Sequence, residues 1–311
     1  MNPAAPATSR EKSIATGELI FAASIWGFGF IATIWALTGM GPVWLSSLRF
    51  LGATVPVLPI LYLMRSTRAQ MTRASLWTAF FPGLFLTLTL VLQTWGLRFT
   101  TATKSSFITT LYVVFVPVVE RFVFGRSMTA IQVGSVVVAL AGTAMIAQLH
   151  GFADLNLGDL LTFLCAIAAT FHILAVGHYG RKVRSSIVFN TYQSLWAGLL
   201  PLGLAIAIEP LPHDFFGTKP FAGFLILAIG STFLAFLLQI RAQKLLSPSV
   251  ASMLFLLESP FAACFAYFLL GERLNASQWL GAALIVAAVV ASSLEEARKP
   301  APAIAPAHAP V

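Results

Sequence analysis

Two stretches, "SSFITTLYVVFVPVVERFVFGRSM" at residues 105–128 and "ASMLFLLESPFAACFAYFLLGERL" at residues 251–274, overlay at an offset of 146 residues. Any two apolar helices share Leu and Ala, so the informative matches are the glycines and polar residues that recur at this one offset. They indicate that the chain contains two copies of one unit. The matched pairs are Gln93/Gln239, Thr101/Ser247, Ser106/Ser252, Gly125/Gly271 and Gln132/Gln278.

Composition places both copies in a membrane. Apolar residues make up 58% of the chain and charged residues 10%, and the mean hydropathy is +0.85. A soluble domain needs far more charge to cover its surface. The net charge of +8 is scattered between apolar runs, so no nucleic-acid partner is predicted. Cys165 and Cys264 lie within apolar runs without metal-site spacing, which indicates neither a disulfide nor a metal site.

Ten apolar runs are long enough to cross the hydrocarbon core, which takes about 20 residues. The predicted fold class is therefore all-α integral membrane, with ten transmembrane helices. Each copy has five spans, an odd number, so the second copy enters from the opposite side and the two five-helix repeats are inverted. Many secondary transporters have this architecture. The predicted spans are 17–39, 42–64, 75–97, 101–121, 128–148, 157–178, 186–208, 219–240, 248–270 and 276–294.

These spans divide the chain into repeats at 17–148 and 157–294, with a polar tail at 1–16 and an Ala/Pro-rich, disordered tail at 295–311. Lys and Arg favour cytoplasmic loops. With a cytoplasmic N-terminus, fourteen of them fall on the cytoplasmic side and four on the other, so both termini are predicted to be cytoplasmic. The four are Arg98, Lys104, Lys219 and Arg273, and the fourteen are Arg10, Lys12, Arg65, Arg68, Arg73, Arg121, Arg126, Arg181, Lys182, Arg184, Arg241, Lys244, Arg298 and Lys299.

Four motifs carry a resemblance to a known family. They are "ASIWGFGFIA" near the start, Arg49 in "SLRF", "TTATKSSFITTLYVVFVPVV" in the fourth span, and "LLESPFAACFAYFLLGERLNASQWLG" near the end. Together they resemble the tandem EamA-type domains of the drug/metabolite transporter superfamily over residues 17–294. The sequence departs from that pattern at Ser259, between the acidic residue and the proline, and at Gly125-Arg126-Ser127. The resemblance implies a ten-helix carrier of the bacterial inner membrane that exports amino acids or related metabolites.

Glu258 is a carboxylate near the middle of a predicted span, where the free-energy cost of a charge is highest. It lies about ten residues from either end of its span, or about 15 Å from each interface, so it cannot reach water by snorkelling. It is predicted to be protonated, paired with another helix, or facing a hydrated cavity where it binds a cationic group or carries a proton. Pro260 removes a helical hydrogen bond beside it and is expected to bend or open the helix. The residue equivalent to Glu258 in the other repeat is Tyr112, which is also a candidate for lining the cavity.

Five further polar or aromatic residues within the spans are candidates for lining a cavity, each with a structural alternative. Arg49 either snorkels or attracts a carboxylate, and Trp26 either packs in the core or forms an aromatic wall. Gln93 and Gln239 either line the cavity or form interhelical hydrogen bonds. His172 is either a hydrogen-bonded structural residue or part of a proton relay.

Other polar residues carry simpler expectations. Lys104 is expected to snorkel, and Glu18 and Asp159 to lie at helix N-termini. Asn190, Tyr192 and Gln193 give the seventh span a polar end, which either lines an access path or is interfacial.

The motifs of soluble enzymes are absent from the sequence, which predicts neither catalytic residues, nor a metal, nor a cofactor. No two glycines have GxxxG spacing, and a monomer is expected.

The residues predict a secondary active transporter for a small amphipathic metabolite, an amino acid or related compound, which works by alternating access with or without a coupled proton. The alternatives are a membrane-embedded enzyme acting on lipid or a lipid-linked substrate, which needs clustered catalytic groups, and a channel, which needs repeated polar faces.

Overall fold

The computed structural model describes residues 8–100, 102–125, 128–148, 156–271 and 273–298, and within these ranges all regular structure is helical. The helices are α1 (Ser9–Leu37), α2 (Pro42–Gly52), α3 (Val57–Leu63), α4 (Arg65–Arg68), α5 (Arg73–Thr78), α6 (Phe80–Gly96), α7 (Ala102–Thr109), α8 (Tyr112–Phe124), α9 (Ala130–Ala147), α10 (Leu157–Tyr179), α11 (Ser186–Ile208), α12 (Thr218–Leu225), a π-helical segment (Ile226–Leu234), α13 (Ala235–Gln243), α14 (Pro248–Phe255), α15 (Glu258–Leu270) and α16 (Ala276–Arg298).

These helices form ten spans long and apolar enough to cross a membrane. They are span 1 (Ser9–Leu37), span 2 (Pro42–Leu63), span 3 (Arg73–Gly96), span 4 (Lys104–Val123), span 5 (Ala130–Ala147), span 6 (Leu157–Tyr179), span 7 (Ser186–Ile208), span 8 (Thr218–Gln243), span 9 (Pro248–Leu269) and span 10 (Ala276–Glu295). The prediction of ten spans is confirmed, and nine of them agree with it to within three residues at both ends.

The two ends of the chain differ from the predicted boundaries. Span 1 begins eight residues before position 17, because Thr8 and Glu11 form a capping box that starts the helix there. The helix of span 10 continues to Arg298, so the start of the predicted disordered tail is helical. Residues 1–7 and 299–311 lie outside the described ranges.

Local structure confirms the inverted repeat at several matched positions. Gly125 and Gly271 end equivalent helices with left-handed backbones, at φ 66° and 68°. Gln132 and Gln278 begin the next helix of each repeat, and each makes reciprocal hydrogen bonds with the residue three positions earlier. The polar matches therefore record helix ends that both repeats share.

Spans 4 and 9 are both interrupted at the equivalent place. In span 4, α7 ends at Thr109 and α8 begins at Tyr112; in span 9, α14 ends at Phe255 and α15 begins at Glu258. Around each interruption the backbone bonds shift to i→i−3 spacing, as in Ser259 N to Leu256 O at 3.2 Å. The expectation that the helix opens beside Pro260 is confirmed. Span 4 shows the same interruption with Val114 at the matched position, so a proline is not required for it.

The spans interleave so that each repeat packs mainly against the other. Span 1 packs on spans 8 and 9, and its counterpart span 6 packs on spans 3 and 4. Spans 2 and 7 pack together, as do spans 5 and 10. Two symmetry-related groups result, which we call half A (spans 1, 8 and 9) and half B (spans 3, 4 and 6). Each half mixes spans of both repeats, and they face each other across the centre of the bundle.

Half A depends on a close contact at Gly27. A Cβ atom there would lie 2.9 Å from the Glu258 carbonyl oxygen, from the Ala262 nitrogen and from the Phe261 Cβ. Two of these are backbone atoms and cannot move aside cheaply. The absence of a side chain at Gly27 therefore lets spans 1 and 9 approach each other beside Glu258.

We predict that Gly27→Ala lowers the stability of the detergent-purified protein by about 1–3 kcal/mol, because the added methyl overpacks this contact. Thermal unfolding measures the change. Gly17→Ala is the matched control in the same helix, since a Cβ there meets nothing within 4 Å. Equal effects of the two substitutions would show that the contact at Gly27 is not tight.

Candidate functional site

A cavity of about 830 Å³, including its opening, lies between half A and half B. The structure brings all seven side chains predicted from the sequence to this one cavity. They are Glu258, Tyr112, Arg49, Trp26, Gln93, Gln239 and His172.

Glu258 and Tyr112 occupy the two helix interruptions and reach the cavity from opposite halves. Glu258 is partly exposed to the cavity and has no hydrogen-bond or salt-bridge partner among the described residues. The Tyr112 hydroxyl is buried and also without a partner there. Unsatisfied polar groups are costly in a membrane interior, so these two are available to a ligand. The paired alternative for Glu258 is wrong within the described chain.

Arg49 contributes a positive charge to the same cavity. The residue is only 5% exposed, which excludes the snorkelling alternative. The Nε donates to Thr232 Oγ1 at 3.0 Å, and Arg49 forms no salt bridge with any described residue. A buried guanidinium without a carboxylate partner is a site where an anionic group of a ligand gains most.

Aromatic rings form one wall of the cavity. Trp26 packs with Phe236 and Phe255 at centroid distances of 5.3 Å and 5.1 Å, and all three line the cavity. The Trp26 Nε1 donates to the Ser231 carbonyl at 2.9 Å, which satisfies the indole. Both interpretations of Trp26 therefore hold at once: the ring is packed, and it forms a wall.

Gln93, Gln239 and His172 line the cavity and also have protein partners. Gln93 Nε2 donates to Thr109 Oγ1 at 3.2 Å, and Gln239 Nε2 donates to Gln243 within its own helix at 2.8 Å. His172 Nε2 lies 3.5 Å from Gln193 Oε1. The interhelical alternative thus applies to Gln93 and not to Gln239, and the hydrogen-bonded alternative applies to His172.

Two charged residues have partners that were not predicted from the sequence. Lys104 Nζ lies 2.7 Å from Asp159 Oδ2, within half B. Glu18 is in the middle of α1 rather than at a helix N-terminus, and it pairs with Arg241 at 2.8 Å within half A. Asp159 does sit in the first turn of α10, in a capping box. The two acidic residues thus stabilise symmetry-related halves.

Several lining residues were not predicted from the sequence. Thr89, Thr94, Thr109 and Ser231 line the cavity together with the aromatic residues. Threonine and serine are common in membrane helices, where they bond to their own backbone. No local signal distinguishes the few that line a cavity.

The cavity extends toward the end of the bundle opposite the N-terminus, where Leu97 at the end of span 3 lines it. At the N-terminal end of the bundle, hydrogen bonds join the two sides of the cavity and close it. We call them the floor bonds. Gln243 Nε2 donates to the Ile173 carbonyl at 3.0 Å, and Ser249 N donates to Glu120 Oε2 at 3.1 Å. Lys244 Nζ donates to the Val183 carbonyl at 3.0 Å.

Comparison with known proteins agrees with this geometry. The model of the EamA-like transporter family matches the chain twice, over residues 17–148 and 156–294. The chain belongs to the EamA-like transporter family. This membrane transporter is similar to an uncharacterized transporter of Archaeoglobus fulgidus, with 31% identity over 283 residues that cover 89% of this chain and 84% of the relative.

The fold also has a counterpart of known structure. One crystal structure superposes with a TM-score of 0.74 at 20% sequence identity, covering 92% of this chain and 99% of the other. Each of the two family matches contains five of the ten spans. The chain is therefore an all-α membrane transporter with two inverted five-helix repeats.

We predict that Glu258→Gln leaves the unfolding free energy within about 0.5 kcal/mol of wild type, because Glu258 has no described partner to lose. Glu120→Gln is the matched control, since its buried carboxylate accepts from the Ser249 amide and hydroxyl. That substitution should cost about 1–3 kcal/mol. Thermal unfolding in detergent compares the two; a loss at Glu258 as large as that at Glu120 would mean that Glu258 is structural.

Proposed function

We propose that this transporter moves a small zwitterionic metabolite, with amino acids as the favoured class, and that it exports it by alternating access. The observation that carries the proposal is one central cavity holding an unpaired carboxylate, Glu258, and an unpaired guanidinium, Arg49. Opposite charges that do not pair with each other are complementary to a ligand that carries both signs. Glu258 binds the ammonium group and Arg49 the carboxylate.

The remaining lining supports an amphipathic substrate. The rings of Trp26, Phe236 and Phe255 offer apolar surface. An ammonium group near an aromatic face also gains cation–π energy of about 0.5–2 kcal/mol. The free Tyr112 hydroxyl supplies a further hydrogen bond next to the interrupted helices. Removing a zwitterion from water costs free energy at both of its charges, so a binding site must offer each charge a polar or charged partner.

The arrangement of the spans supports movement of half A against half B. Each half is held internally, by Glu18–Arg241 in half A and by Lys104–Asp159 in half B. The bonds described between the halves at the N-terminal end partly use backbone carbonyls. We therefore propose that the moving units are these mixed halves, rather than the two sequence repeats. Breaking the floor bonds opens the cavity toward the other side.

Glu258 also provides a means of coupling to protons. One carboxylate that binds either a proton or the substrate's ammonium group, but not both, exchanges one for the other in each cycle. A proton gradient then drives the substrate outward. The distribution of Lys and Arg supports cytoplasmic termini. The family resemblance supports the bacterial inner membrane, and the lack of GxxxG spacing supports a monomer.

We predict that proteoliposomes containing the wild-type protein transport a labelled amino acid from a panel covering apolar and aromatic side chains, and that an imposed pH gradient accelerates this transport. Glu258→Gln should abolish the acceleration, because an amide neither takes up a proton nor forms an ion pair. Gln148→Glu, at the end of α9 and away from the cavity lining, controls for a general effect of changing one charge.

If Glu258→Gln transports at the native rate and with the native pH dependence, the carboxylate carries no proton. If wild type moves no amino acid while it moves other metabolites, the favoured class is wrong and the transporter assignment stands.

We predict that a cysteine at Leu90, which lines the cavity from half B, reacts with an impermeant maleimide added outside the cell. The background is Cys165→Ala and Cys264→Ala. Adding Gln243→Leu should slow this labelling by up to about fivefold. Losing the bond to Ile173 destabilises the outward-open state by about 1 kcal/mol, which lowers the ratio of outward-open to inward-open protein about fivefold.

Gln70→Leu is the control for this experiment, since Gln70 bonds to Ser66 within its own loop. Labelling only from the cytoplasmic side would show that the proposed orientation of the termini is wrong. An unchanged rate in the Gln243→Leu protein would argue against the floor bonds as a gate.

A further inference from the structure

The segment Ile226–Leu234 in span 8 of half A is a π-helix rather than an α-helix. π-Helical turns are rare and often occur at functional sites, because the wider turn re-aims side chains and carbonyls. Nine consecutive residues here adopt this form, and Leu227 and Ser231 of the segment line the cavity. The segment therefore forms part of the wall that faces the substrate.

Three consecutive residues of this segment receive hydrogen bonds from three different helices. Trp26 in α1 donates to the Ser231 carbonyl at 2.9 Å. Arg49 in α2 donates through Nε to Thr232 Oγ1 at 3.0 Å. In α11, Asn190 Nδ2 donates to the Phe233 carbonyl at 2.9 Å. The π-helical segment is thus where spans 1, 2 and 7 are fixed to span 8.

The bond to Thr232 decides how Arg49 is oriented. Thr232 is completely buried, and its hydroxyl accepts from Nε. No described residue accepts from the two terminal guanidinium nitrogens, and Arg49 lines the cavity. A guanidinium is planar and rigid, so fixing Nε also fixes the directions of the terminal N–H groups. These are the groups that hold a carboxylate in a two-point contact.

We propose that Thr232 is a positioning residue, which holds Arg49 so that its terminal N–H groups form a subsite for the substrate's carboxylate. This inference rests on the proposed transport of a zwitterion. Thr232 would act through Arg49 without touching the substrate. The role of the π-helical segment would then be to bring the buried Thr232 hydroxyl to the Nε of Arg49.

The other side of the segment is anchored by a polar chain. Asn190 Oδ1 accepts from Gln193 Nε2 at 3.0 Å, and Gln193 Oε1 lies 3.5 Å from His172 Nε2. Asn190, Tyr192 and Gln193 are all buried between helices, so the access-path alternative for the polar end of span 7 is not supported. This chain holds the backbone of the segment, and so Thr232, at a fixed depth.

The test compares L-leucine with 3-methylbutylamine, which has the same side chain and ammonium group and no carboxylate. In proteoliposomes, Thr232→Val should raise the KM for leucine about tenfold, because the arginine loses a charge-assisted hydrogen bond. The KM for 3-methylbutylamine should stay within about twofold, since its binding does not use Arg49. Thr232→Ser keeps the hydroxyl and should restore the wild-type KM for leucine.

Thr170→Val is the matched control. Thr170 is also a buried membrane threonine, but its hydroxyl bonds only within its own helix, to the Ala166 carbonyl. It should change neither KM. A double-mutant cycle adds Arg49→Lys, which keeps the charge and removes Nε. Thr232→Val should then have no further effect on leucine transport, and the two substitutions should be non-additive in unfolding temperature.

The outcomes separate the two proposals. If Thr232→Val weakens leucine and 3-methylbutylamine equally, or if Thr232→Ser fails to restore leucine, Thr232 does not position a carboxylate subsite. If wild type transports neither compound, the proposed substrate class is wrong. The unfolding cycle then decides the role of Thr232 without transport: additive losses of stability overturn the coupling between Thr232 and Arg49.

Discussion

The constraint on which this structure depends is the inability of hydrocarbon to solvate a charge or an unpaired polar group. It makes the backbone helical and leaves each polar side chain within a span with two options: a protein partner or a cavity. Lys104 and Glu18 take the first option in salt bridges. Glu258 takes the second, since it has no described partner and faces the cavity. The division between paired and unpaired groups is therefore the division between scaffold and candidate site.

Inverted symmetry organises the scaffold and is broken at the site. The helix-ending glycines Gly125 and Gly271, and the interruptions in spans 4 and 9, recur in both repeats. At the interruptions the symmetry places Tyr112 opposite Glu258, so one copy carries a neutral hydroxyl and the other an acid. A symmetric backbone supports two equivalent arrangements of the halves, which alternating access requires. An asymmetric pair of side chains gives the cavity one acidic end, which a substrate with one ammonium group needs.

Close packing at a glycine and an irregular helix both hold cavity-lining residues in place. Gly27 lets span 1 lie against the backbone of span 9 next to Glu258. The π-helical segment lets span 8 accept hydrogen bonds from Trp26 and Arg49 on its cavity side. In both places regular helix geometry or an ordinary side chain would be more stable locally. The departures hold the cavity-lining groups in place, as expected where a fold trades local stability for function.

The membrane class, the ten spans and the inverted repeat could all be predicted from the sequence. This was possible because the length and apolar character of a span are local properties, and because matched helix ends recur at a fixed offset. The sequence also identified seven residues that the structure places around one cavity, since intramembrane polar groups are rare enough to stand out. Which of these residues are paired could not be predicted, because partners such as Thr232 for Arg49 lie far away in the chain and meet only in the folded protein. The mixed halves could not be predicted either, because packing between spans depends on surface shape, which spacing along a sequence does not encode.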